Sequence, residues 1–113
     1  MKRGEIRNGR LNPNRGAEVG KTRPVLLIQQ DQLTAAGLPT LVVLPLTGQL
    51  RPGLDKLRYP IAARDGLRQD SQIMIDQPRT LDRKRIDTAV LTVLTTPEIE
   101  AVEKRLRAVL GML

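Results

Sequence analysis

Two stretches of the chain are largely apolar: Pro24–Gln30 (PVLLIQQ) and Thr40–Thr47 (TLVVLPLT). Both have strand length and carry β-branched residues, and continuous rather than alternating hydrophobicity predicts strands buried on both faces. Pro45 removes a ladder donor from the second run and predicts a ladder end or an edge there. Weaker alternation predicts further strands at Gly4–Leu11 (interrupted by Asn8 and Gly9), Lys56–Ala62, Ser71–Asp76 and Ala89–Leu94. Asn12-Pro13-Asn14-Arg15-Gly16 is a concentrated turn signal, Asp31–Ala36 suits one helical turn before Gly37 and Pro39, and Gln49–Lys56 reads as a polar loop.

One segment has a clear helical period. Ile99, Val102, Leu106, Val109 and Leu110 form an apolar stripe along Thr96–Leu110. Thr95 with Glu98 three residues later is a capping-box pattern, and Pro97 suits the first turn. Glu100–Lys104 and Glu103–Arg107 have the spacing of ion pairs on its outer face. Several short strands followed by one helix predict a mainly β fold: a small half-open barrel closed by a C-terminal helix. No repeat, linker or low-complexity segment divides it, so residues 1–113 are read as one domain.

Composition narrows the chemistry. With no Phe, no Trp and a single Tyr, the core must be aliphatic. The absence of Cys excludes disulfides and thiolate metal sites. The absence of His removes the commonest general acid–base group and metal ligand, so no cofactor or metal is expected. Met1-Lys2-Arg3-Gly4-Glu5 lacks the apolar stretch of a secretory signal, and no apolar run spans a bilayer, so the expectation is a cytoplasmic protein without membrane contact. The formal charge is +7. Seven basic residues within the first 30, against Glu5 and Glu18, put most of that excess there. A polyanion partner follows, either nucleic acid or an acidic protein segment, and the predominance of arginine favours phosphate. A basic surface that merely maintains solubility has the same composition.

Gly16-Ala17-Glu18-Val19-Gly20-Lys21-Thr22 imitates a phosphate-binding P-loop but is one residue short. It precedes Arg23-Pro24 and a strand, whereas the true motif opens a helix, so nucleotide triphosphate binding is excluded. A different grouping is more informative. Glu18, Lys21 and Arg23 lead directly into the first apolar strand, and the second ends at Thr47-Gly48. If these strands are neighbours in register, a guanidinium and a hydroxyl meet where a phosphate could bind, with the Gly48 backbone beside them. The same pattern also describes a surface Glu18–Arg23 ion pair and a strand-ending threonine. Asp76-Gln77-Pro78-Arg79 and Arg83-Lys84-Arg85 form a third cluster. It is either a solvated, mixed-charge turn or an RNA contact in which Asp76 and Gln77 meet base edges while Arg79 and Arg85 neutralise phosphate.

Taken in order, Arg3-Gly4-Glu5-Ile6, Leu11-Asn12-Pro13, Arg15-Gly16, Glu18, Lys21-Thr22-Arg23-Pro24-Val25-Leu26, Pro45-Leu46-Thr47 and Asp76-Gln77-Pro78-Arg79-Thr80-Leu81-Asp82 resemble the MazF/PemK toxins, including their Kid branch, over nearly the whole chain. The resemblance implies an SH3-like barrel with a C-terminal helix, assembled as a homodimer. It implies a metal-independent endoribonuclease acting on single-stranded RNA at short sequences, neutralised by a cognate antitoxin with a flexible acidic tail. It carries the catalytic arginine onto Arg23, its hydroxyl partner onto Thr47 and a nearby carboxylate onto Glu18. The Kid branch adds roles for Asp76 and Arg85. Three departures stand out: Arg7-Asn8-Gly9 replace aromatic or apolar residues, Gly48 replaces a serine, and Met74 replaces an arginine of the Kid branch.

RNA supplies its own nucleophile, the 2′-OH. Arg23 would stabilise the phosphorane charge and Thr47 would hold a phosphate oxygen, giving 2′,3′-cyclic phosphate and 5′-OH ends. Arginine is a poor base at its ordinary pKa, which leaves Glu18 or Asp76 to accept the proton. Two alternatives remain: a basic barrel that binds RNA without cutting it, including a degenerate toxin, and a gyrase poison of the same fold. The latter family ends in a tryptophan-bearing tail, absent from Leu110-Gly111-Met112-Leu113.

Overall fold

The computed structural model describes residues 1–12, 15–17 and 20–112. In chain order the elements are β1 (Glu5–Arg10), β2 (Thr22–Leu27), α1 (Asp31–Ala35), β3 (Thr40–Thr47), β4 (Arg58–Ile61), β5 (Ser71–Met74), β6 (Arg79–Asp82), a 3-10 turn (Arg83–Arg85), β7 (Thr92–Val93) and α2 (Thr96–Val109). The strands form one antiparallel 7-stranded sheet in the order β4-β5-β3-β2-β1-β7, with β6 also pairing β3.

The two apolar runs are central strands, as their continuous hydrophobicity requires. Successive residues point to opposite faces, and both faces are covered. Leu26, Leu44 and Leu46 join Ile6, Ile73 and Val102 of α2 in one cluster, while Val25, Leu27, Leu41 and Val43 join Leu11, Leu81 and Ile86 in the other. The sheet curls around the second cluster, giving the half-open barrel expected, with α2 on the first. Pro45 marks a ladder end. On one edge of β3, pairing with β6 stops at Val43 and pairing with β5 begins at Leu46. The missing N–H falls in that gap.

Several sequence expectations need correction. β2 begins at Thr22, not Pro24, and stops at Leu27, because Thr22–Pro24 pair with Arg10–Asn8 of β1. Thr22 thus opens a strand, and no helix follows the P-loop look-alike. Of Ala89–Leu94 only Thr92–Val93 form a ladder, although Leu91 N–H donates to Ile6 O and Leu94 N–H to Gly4 O along β1. β6 arises within a segment read as polar turn. Its one buried residue, Leu81, lies opposite Leu41, and a four-residue strand with a single apolar position has no detectable period.

β1 forms despite Arg7-Asn8-Gly9. Arg7 is buried (8% exposed), paired with Glu5 at 2.9 Å and donating to the carbonyls of Asp87 and Thr88 at 3.1 and 2.7 Å. Gly9 is closely packed: a Cβ there would stand 3.2 Å from Leu81 Cδ1 and from Val25 Cγ2, so those side chains would have to give way. In α2 the capping box between Thr95 and Glu98 is complete. Ile99, Val102, Leu106 and Val109 face the core, but Leu110 is 53% exposed and lies outside the stripe. The helix's ion pairs run outward rather than along it. Glu103 meets Arg3 and Glu98 meets Arg64, each at 2.8 Å.

Candidate active site

The antiparallel register of β2 and β3 sets Val25 opposite Pro45. Carried two residues further, it sets Arg23 opposite Thr47, with both side chains on one face. Arg23 Nη1 reaches Thr47 Oγ1 at 3.4 Å, and Arg23 Nε donates to Gly20 O at 2.9 Å. The second contact folds the guanidinium back over its own loop. That loop is closed by Lys21, whose N–H donates to Asn12 Oδ1 at 2.9 Å and whose carbonyl accepts from Leu11 N–H at 2.8 Å. Lys21 holds a left-handed φ of 67°, unusual for a side-chain-bearing residue, at this closure. Its side chain is exposed, two residues from Arg23.

Thr47 Oγ1 also accepts the Gln49 N–H at 3.1 Å. A hydroxyl has two acceptor positions and one proton, so with both acceptor positions taken, the Thr47 proton is left to donate. Arg23 likewise retains Nη2. A cation and a hydroxyl proton are therefore available together, which suits an oxyanion. Thr47 is only 6% exposed but lines an open pocket of about 540 Å³, with Gly48 at its rim.

The pairings extend this arrangement into a row across the sheet. Ile86 bridges Gly9, Gly9 pairs Arg23, Thr47 pairs Gln72 and Gln72 pairs Pro60. Gln72, which sequence reasoning missed, is thus the direct neighbour of Thr47. Its Oε1 accepts from Arg58 Nη1 at 3.0 Å and from Arg51 N–H at 3.1 Å, and Arg58 Nη1 also reaches Gln49 O at 3.1 Å. These bonds fix the 48–57 loop beside the site. Only strand register reveals the connection, since Gln72 lies 25 positions beyond Thr47.

The other expected residues are placed less centrally. Arg79 lies opposite Val43, four residues along β3 from Thr47 and therefore about 13 Å away. Asp76 and Gln77 occupy the bend between β5 and β6, between the partners of Leu46 and Val43. Met74 is buried, so the arginine of the Kid-style Asp–Arg pair has no counterpart at this position. Arg85 adjoins Ile86 and hence one end of the row, separated from Thr47 by β1 and β2. Glu18 falls outside the described residues. Among the described residues, no group of three or more Asp or Glu side chains is placed to hold a metal ion, and no helix is long and apolar enough to cross a membrane.

Comparison with known proteins assigns the chain to a family. Residues 2–110 match the model of the PemK-like, MazF-like toxins of type II toxin–antitoxin systems. The chain belongs to this toxin family. The toxin is 33% identical to endoribonuclease EndoA of Bacillus subtilis (strain 168) over 114 residues, spanning 100% of this chain and 97% of that protein. Its fold matches a crystal structure of MazF from Deinococcus radiodurans with a TM-score of 0.83 at 21% identity, covering 99% of this chain and 97% of that one. It also matches a MazE–MazF crystal structure from the same organism with a TM-score of 0.77 at 20% identity, covering 100% and 98%. At these identities the structures establish the shared fold.

Proposed function

We propose that this toxin is an endoribonuclease that cleaves single-stranded RNA through the RNA's own 2′-OH, with Arg23 and Thr47 holding the reacting phosphate. The observation that carries the reading is the meeting of the Arg23 guanidinium with the Thr47 hydroxyl at the ends of neighbouring strands, 3.4 Å apart. The relationship to endoribonuclease EndoA supports reading that pair as part of an RNA-cleaving site. In the proposed step the 2′-oxygen bonds to phosphorus as its proton is removed, the bond to the 5′-oxygen breaks, and that oxygen takes up a proton from water, giving a 2′,3′-cyclic phosphate and a 5′-OH. Arg23 and Thr47 act on the extra negative charge of the phosphorane, where preorganised donors contribute most. No metal takes part. A guanidinium is a poor proton acceptor. Asp76 sits up the sheet, so we assign proton removal from the 2′-OH to Glu18, in the segment between β1 and β2.

The +7 charge suits both RNA and an acidic inhibitor. Because one related structure is a MazE–MazF complex, we assign the toxin a cognate antitoxin whose acidic segment covers the site. Arg23→Ala is expected to abolish cleavage of single-stranded RNA in EDTA while leaving the circular dichroism spectrum unchanged. An all-deoxy oligonucleotide should remain intact. Full activity of the variant removes Arg23 from the site, and cutting of the deoxy substrate excludes the 2′-OH route. RNA retention without cleavage at any enzyme concentration identifies a binding barrel instead.

A further inference from the structure

Gly48 has a specific neighbour. A Cβ at this position would lie 2.7 Å from Gln69 Oε1, so the Gln69 side chain rests directly on the backbone that follows Thr47. Any larger residue at 48 would displace it. Among the described residues the Gln69 carboxamide takes part in no hydrogen bond, although Gln69 O accepts from Ser71 Oγ at 2.9 Å, which holds its backbone. An exposed carboxamide is thus presented beside the proposed phosphate site with its donor and acceptor both available.

Gln69 forms part of a wall that is already rigid. Arg64 N–H donates to Leu67 O, and Leu67 N–H donates to Arg64 O, each at 2.9 Å; Gly66 N–H donates to Leu91 O at 2.8 Å. The Asp70 carboxylate accepts from Ala63 N–H at 2.8 Å. The Arg64 guanidinium clasps both oxygens of Glu98, at 2.8 Å each, tying the loop to α2. The apolar part of the pocket is built by Pro24 and Leu46 from β2 and β3 and by Leu67 and Leu91, while Asn8, Arg68 and Ser71 line it beside Gln69. Pro24 and Leu46 flank Arg23 and Thr47 in sequence but point to the opposite face. The pocket therefore shares Thr47 and Gly48 with the phosphate site but opens on the face of the sheet away from Arg23.

Aliphatic walls with a few convergent polar side chains, here Gln69 together with Asn8, Arg68 and Ser71, are the chemistry of a nucleobase site: ring faces against aliphatic side chains, and a base edge against donors and acceptors. Aromatic stacking is not needed, and the sole aromatic residue, Tyr59, instead lies under Arg105, 5.1 Å from it. We propose that this pocket receives the base adjoining the cleaved phosphodiester and that Gln69 selects it by hydrogen bonding to its edge. The proposal rests on the endoribonuclease reading and adds to it a residue that determines sequence preference.

The test uses a pool of RNA with randomised sequence, cleaved by the wild-type toxin, Gln69→Ala and Gln69→Glu, with the bases flanking each cut determined by sequencing. Alanine should reduce discrimination at one position beside the cut by about tenfold, the equivalent of one lost hydrogen bond, while preferences at other positions persist. Glutamate, an acceptor only, should move the preference at that position towards guanine, whose N1–H and N2–H donors are adjacent. Preferences identical in all three proteins overturn the proposal. So does an absence of any flanking-base preference in the wild type, or a change confined to oligomeric state on size exclusion, which would assign the pocket to a second copy of the chain. Failure of the wild type to cut RNA overturns the underlying endoribonuclease reading instead, so the two failures are distinguishable.

Discussion

Thr47→Val separates the chemical role of the hydroxyl from its structural one. The substitution keeps the β-branched shape of a residue that is only 6% exposed and removes a single oxygen. Two hydrogen bonds are lost, from Arg23 Nη1 at 3.4 Å and from Gln49 N–H at 3.1 Å. The first is near the limit of a useful distance, and Gln49 is exposed, so water can replace the second. The expected loss of stability is about 1 kcal/mol, corresponding to a fall in Tm of roughly 4 °C for a chain of this size. Catalysis should suffer far more. The phosphate loses one preorganised donor and Arg23 loses one of its two tethers, and removing one such donor typically costs about 10²–10³ in kcat, or about 3–4 kcal/mol. The assay pairs single-turnover cleavage of a short RNA in EDTA with urea unfolding of the same samples. Thr47→Ser, which keeps the hydroxyl, should recover most of the rate. If valine leaves kcat within about a factor of three, about 0.6 kcal/mol, the hydroxyl does not act on the transition state.

Two further outcomes concern the scaffold. Arg7→Leu leaves the Glu5 carboxylate and the carbonyls of Asp87 and Thr88 without their shared donor, so unfolding free energy should drop by about 3 kcal/mol. Adding Glu5→Leu should restore part of it, and a loss below about 1 kcal/mol in the single variant would show that the pair contributes no more than a surface bridge. The Arg64 hydrogen bonds hold the Glu98 carboxyl at a pKa of about 2 against an ordinary 4.5. A depressed carboxylate contributes stability that is complete above its unfolded value and is lost as pH falls through its folded value. The advantage of wild type over Glu98→Gln, which keeps the capping bond to Thr95 N–H, should therefore be full above pH 4.5 and fade towards pH 2. Urea unfolding across that range checks this, and a pH-independent difference contradicts the pairing.

The chain's own pattern determined the parts of the fold that depend on local burial. PVLLIQQ and TLVVLPLT had to be covered on both faces, and the Thr95–Glu98 capping box with its apolar stripe had to form a helix, because these requirements act within a few residues of one another. The Arg23–Thr47 pair was legible conditionally, since strand ends that share a register must meet. Other features depended on residues distant in sequence. β6 exists because β3 presents an unpaired edge to it, and Arg7 is tolerated inside because Glu5 and two carbonyls converge there. Gln72 adjoins the site only through the β3–β5 register, and Gln69 reaches Gly48 only because its loop is anchored by Arg64 and Glu98. Hydrogen bonds and ion pairs between separate elements leave no period in a sequence. Only the closed sheet, which fixes the register of every strand at once, decides which of those side chains meet.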